Sequence, residues 1–97
     1  MVAWMKDRGC CDLCRENDAA LLDFHHIDPT TKTAKVARLH SVMAIILEAE
    51  KCVLLCKSCH KAVHADPAAA EQIRPLDPLW IDQMVTEYAR HRLLNGE

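Results

Sequence analysis

Two periods of apolar and polar residues run along this chain, and the changes of period mark its elements. Leu21 to Ile27 is a brief run flanked by polar residues and stopped by Asp28-Pro29, which predicts a strand running into a turn. From Ala34 to about Glu50 the apolar residues Val36, Leu39, Met43, Ile46 and Leu47 recur at helical spacing, with Arg38, Ser41 and Glu48 on another face. One helix is expected there. Cys52 to Leu55 is short, β-branched and apolar, and predicts a second strand paired with the first like a hairpin. Ser58 predicts the cap of a helix that starts near Cys59 and runs through His60 and His64 to Asp66-Pro67. Asp66-Pro67 opens a short Ala-rich helix, and Asp77-Pro78 repeats that pattern ahead of the last segment. In that segment Trp80, Ile81, Met84, Val85 and Tyr88 form one stripe, read as a helix docking on a metal core, with Asn95-Gly96 as its end signal. Residues 1–9 are short and mixed and end at Gly9, which suits a turn.

The length of 97 residues allows a single domain over 1–97, and so small a core calls for metals or disulfides as helpers. The six cysteines are Cys10, Cys11, Cys14, Cys52, Cys56 and Cys59. The N-terminal residues lack a secretory apolar region and a small-residue cleavage site, so a cytoplasmic, non-secreted protein is expected and paired cysteines read as metal ligands. The longest apolar run, Val42 to Leu47, falls far short of the roughly 20 residues that span a bilayer, so no membrane is expected as a partner. A formal net charge of −2 weighs mildly against tight nucleic-acid binding without excluding it.

Ligand chemistry divides the candidate residues into two sites. Cys11-x-x-Cys14 and Cys56-x-x-Cys59 are two knuckles that together make a closed four-sulfur zinc site, with Cys10 able to replace Cys11. Cys52 reads as a buried free thiol. The stretch between the knuckles exceeds the roughly 15–20 residues of a common four-cysteine finger, so a sizeable element is inserted there. His60 and His64, four apart on a helix, lie on one face and can ligate one ion. A third ligand can come from His25-His26, whose neighbouring side chains on a strand point to opposite faces. Three histidine ligands leave open positions, the mark of a catalytic site. His40 and His91 read as ordinary histidines.

These residues resemble the HNH endonuclease family with its ββα-metal fold. The likeness runs from Cys11 through Asp23-Phe24-His25-His26-Ile27-Asp28-Pro29 and Lys32 to the run from Lys51 to His64, and spares residues 1–9 and 67–97. It implies an α+β fold: a small zinc-stabilised ββα-metal domain, motif core about 10–66, with flanking helices including a C-terminal extension over 67–97. It also implies His25, His60 and His64 as ligands of a catalytic divalent ion, His26 as the general base, and Cys11, Cys14, Cys56 and Cys59 as ligands of structural zinc. The implied reaction is phosphodiester hydrolysis, the ion being zinc, nickel, manganese or magnesium.

The departure from the family lies at Lys51, which stands where an asparagine usually fixes the loop that orients the base. An ammonium donates but cannot accept. Lys51 is read as holding a substrate phosphate, lowering the pKa of His26, or simply being solvated. Lys57 and Lys61 beside the metal helix, with Lys32, Lys35 and Arg38 after the first strand, give a small basic rim for double-stranded DNA. Phosphate contacts of this kind carry little sequence specificity. Proteins resembling this one are stand-alone phage or bacterial nucleases, or parts of packaging, restriction or homing systems. A homodimer, a packaging or restriction partner, and nicking or double-strand cleavage all stay open. A different class of function, a non-catalytic zinc module that docks nucleic acid or protein, is the alternative.

Overall fold

The computed structural model describes residues 1–95, so Gly96 of the expected end signal lies outside the described residues. The chain folds as a small α+β unit around a two-stranded antiparallel sheet. Helix α1 spans Val2–Arg8, β1 Leu22–His26, α2 Val42–Ala49, β2 Cys52–Cys56, α3 Lys57–Ala65, α4 Pro67–Ala70 and α5 Pro78–Leu94. The strands pair in one register, from Leu22 opposite Cys56 to His26 opposite Cys52. All five residues of β2 are buried, because both of its faces are covered.

Two apolar clusters flank the sheet. In the first, Cys52 of β2 meets Met5 of α1, Ile45 and Ala49 of α2, and Ile81 and Met84 of α5. In the second, Val53 and Leu55 of β2 meet Cys11, Leu22, Val63 of α3 and Ile73. The stripe of α5 thus docks on the cluster opposite the paired cysteines, which corrects the expectation of a helix seated on the metal core. Tyr88 closes that face edge-on to Trp4, with ring centroids 5.8 Å apart.

Three expected boundaries move. The helix expected from Ala34 to about Glu50 is a single 3₁₀ turn, Val36–Arg38, followed by α2. The physical reason is that Thr33 and Ala34 give their N–H groups to Glu48 Oε2, at 2.9 and 3.4 Å, while Ser41 caps α2 by accepting from Ala44 N–H at 3.0 Å. Helix α3 starts two residues earlier than expected, with Cys56 rather than Ser58 as its cap: Cys56 Sγ accepts from Cys59 N–H at 3.4 Å. Residues 2–8 form α1 rather than irregular chain, and Gly9 follows in an extended conformation. Glycine suits the close approach there: a Cβ would lie 2.5 Å from Leu54 Cδ1, so that side chain would have to shift, and 3.1 Å from the Met5 carbonyl oxygen.

Candidate metal centre and active site

The sulfur cluster is assembled at the junction of β2 and α3. Cys56 ends the strand, Cys59 sits in the first turn of the helix, and Cys11 and Cys14 arrive from the loop after α1. That loop is anchored to β2 by Asp12 N–H donating to Leu54 O at 3.0 Å. The ligand atoms of Cys11, Cys14, Cys56 and Cys59 all lie within 4.8 Å of one another. Cys14 Sγ and Cys56 Sγ are 3.6 Å apart, near the roughly 3.8 Å edge of a tetrahedron built on ~2.3 Å metal–sulfur bonds. All six cysteines are free. The arrangement is compatible with a structural metal site, and it selects Cys11 over Cys10, which lies outside the cluster.

Thiol acidity differs across the cluster. Burial raises the Cys11 thiol, but the backbone N–H groups of Cys14, Cys56 and Leu13 outweigh it and bring it to about 6. Burial and the neighbouring sulfurs push Cys59 up. Cys52 stands apart, fully buried and pushed up to about 12 by burial and the nearby Glu48 charge. It is an inert packing thiol, as its isolation in the sequence suggests.

The second cluster joins β1 to α3. His60 and His64 stand one turn apart on α3, and His25 meets both across the face of the sheet, with ring centroids 5.0, 5.0 and 4.9 Å apart. Their ligand nitrogens lie within 4.8 Å of one another. Burial, and then the positive charge that His60 and His64 can carry, lowers the pKa of His25, so it favours the neutral form that ligates metal. Asp23, two residues before His25 and on the same face, accepts from His60 Nδ1 at 3.2 Å, which directs Nε2 of that ring to the cluster. Lys57 also donates to Asp23, so the Asp23 carboxyl sits below its usual range despite burial.

His26 takes the opposite face of β1, as alternation requires. Its Nε2 lies 2.7 Å from Glu48 Oε2, and its side chain is 8 % exposed. The same carboxylate receives the Thr33 and Ala34 N–H groups and, on Oε1, Lys51 Nζ at 3.1 Å. Burial raises the Glu48 carboxyl, but these donors prevail and hold it at about 2. Lys51 also donates to the Thr31 carbonyl at 2.8 Å and to Thr33 Oγ1 at 3.1 Å. It therefore ties the loop after β1 to α2 rather than reaching toward a substrate.

His25, His26, His60 and His64 line one cavity of about 410 Å³, with Lys6, Lys32 and Lys35 also in its wall. Of the basic residues expected at the rim, Lys57 and Lys61 lie instead along a shallower depression beside His60 and His64, and Arg38 lines neither. Lys6, and the roles of Asp23 and Glu48, are what sequence reasoning missed. An acidic residue three before Lys51 was the available signal for Glu48; Lys6 is placed only by the packing of α1. No helix among the described residues is long and apolar enough to cross a membrane. Comparison with protein-family models, curated proteins and solved structures found no match.

Proposed function

We infer that the protein is a metal-dependent endonuclease of the HNH type, hydrolysing phosphodiester bonds in double-stranded DNA with little sequence preference. The observation that carries this reading is the split of the His25-His26 pair: one imidazole joins two helix histidines, and the next, on the other face, opens onto the same cavity with a carboxylate behind it. The resemblance to the ββα-metal fold supports it, with β1, β2 and α3 as the ββα unit.

In this reading Cys11, Cys14, Cys56 and Cys59 hold structural zinc, and His25, His60 and His64 hold the second divalent ion. A divalent ion held there would supply Lewis acidity to a phosphoryl oxygen and to the departing 3′ oxygen. The ionised Glu48 accepts the Nε2 proton of His26, so Nδ1 carries the lone pair and takes the proton from water. Lys51 serves His26 indirectly: its ammonium fixes both Glu48 and the loop at 31–33, the positioning task that an asparagine would perform. Lys6, Lys32 and Lys35 give the cavity wall a positive charge suited to the scissile strand.

The non-catalytic docking module has one observation in its favour, the low exposure of His26 and its tight pairing with Glu48. Nicking of supercoiled plasmid with zinc, nickel, manganese or magnesium decides between the two. The expected outcome is metal-dependent nicking that falls about 10²- to 10⁴-fold in His26→Ala at unchanged metal content. Intact plasmid under every metal would overturn the enzyme reading.

A further inference from the structure

The outer edge of β2 carries a second cleft, unrelated to the histidines. Asp12 N–H donates to Leu54 O at 3.0 Å and Leu76 N–H to Cys52 O at 2.8 Å, so two loop segments cover that strand edge. Between them is a cavity of about 410 Å³ that shares no residue with the histidine cavity. Leu54 and Trp80 line it, and so do three arginines, Arg8, Arg15 and Arg74.

The three arginines come from separate places: the end of α1, the residue after Cys14, and the loop between α4 and α5. Among the described residues none of them has a carboxylate within 4.0 Å. Two carboxylates share the lining, Asp12 and Asp77, the latter also capping α5 by accepting from Leu79 N–H at 2.9 Å, so three cations face two anions there. Arg8 is held by stacking over Trp4, its guanidinium carbon 3.2 Å from the ring centroid, and uses one N–H on the Trp4 carbonyl at 3.4 Å. The remaining donors of its fork have no hydrogen-bond partner among the described residues.

Arg15 separates this cleft from an ordinary solvated surface. Its φ is 68°, and among the described residues it is the only non-glycine with positive φ. A residue with a Cβ costs about 1 kcal/mol more than glycine in that conformation. Glycine would serve the local turn, closed by Arg15 N–H donating to Cys11 O at 3.0 Å, with less strain. The knuckle thus carries an arginine at a position where the backbone disfavours any side chain, and that arginine, with Nη1 4.0 Å from Cys10 Sγ, lines the cleft together with Arg8 and Arg74.

We propose that this cleft binds phosphate, taking a backbone phosphate of a nucleic-acid strand or the phosphate of a free nucleotide on Arg8, Arg15 and Arg74, with the base beside Trp80. Planar guanidinium forks match phosphate oxygens bidentately. An indole alongside gives a base an apolar surface to stack on. The assignment is independent of hydrolysis at the histidine cavity and holds equally for a docking module.

Calorimetric titration of the zinc-loaded full chain with AMP, and separately with a short single-stranded oligonucleotide, tests it. Wild type binds at least one of them. Arg15→Gly weakens that binding about tenfold and, for the oligonucleotide, lowers the salt slope by about 1, while the thermal midpoint stays level or rises. Arg74→Gln, in a loop, weakens binding by a similar factor, and the Arg15→Gly loss persists in a His64→Ala background. Binding of AMP alone assigns a free nucleotide; arginine-dependent oligonucleotide binding assigns a strand. Absence of both, or binding that Arg15→Gly and Arg74→Gln leave unchanged, overturns the proposal.

Discussion

Glu48 Oε2 meets His26 Nε2 and the N–H groups of Thr33 and Ala34 at once, while Oε1 takes Lys51, so one side chain sets the tautomer of His26 and the path of the loop after β1. Glu48→Gln keeps the shape but not the charge, and is expected to lower stability by about 2 kcal/mol in urea unfolding, as loss of charge-assisted bonds does. The pH dependence has a definite sign. The carboxyl is held at about 2, below its ordinary value of 4.5, so its contribution is fully present above pH 4.5 and is lost as pH falls from there through 2. The gap between wild type and Glu48→Gln should close over that window; a gap that persists at pH 2 would contradict the role of the charge. Helical spacing placed Glu48 only on a face other than the apolar one, because periodicity describes apolar neighbours along a helix and is blind to a carboxylate answering backbone donors fifteen residues away.

At the scale of elements, Cys56 has three tasks: it ends β2, caps α3 through its sulfur and contributes to the sulfur cluster. The start of α3, and with it the placement of His60 and His64, therefore depends on the sulfur site. Cys59→Ser is expected to abolish binding at both clusters, whereas His60→Ala abolishes it only at the histidines; native mass spectrometry of metal content distinguishes the two. Retention of the histidine-bound ion in Cys59→Ser would uncouple the sites. Both strands, both knuckles and the His60–His64 helix were legible as local patterns and lie within a residue or two of where they were expected. The long helix from Ala34 was not, because Thr33 and Ala34 bond to Glu48 rather than to a preceding turn. The side on which α5 docks was equally hidden: a stripe such as Ile81 and Met84 states that a face is buried and not what buries it.

For the whole molecule, the sheet divides the labour. One face carries the histidine and sulfur clusters under α3, and the other is packed by α1, α2 and α5. Ile81, 1 % exposed, sits in the packed cluster, and Ile81→Ala is expected to cost about 2–4 kcal/mol in thermal or urea unfolding, with metal content unchanged under native conditions. Loss of metal together with stability would mean that the two halves do not separate in this way. The pairing of β1 with β2 has a consequence for how the proposed chemistry could be lost. His25 and His26 are the same side chain, and only odd or even position along the strand assigns one to the ion and the other to the water. A single residue inserted between Leu22 and Phe24, with Leu22 still opposite Cys56, would turn His25 to the face that His26 now takes and bring Phe24 into its place opposite Val53. The integrity of the site is thus a matter of counting as much as of composition.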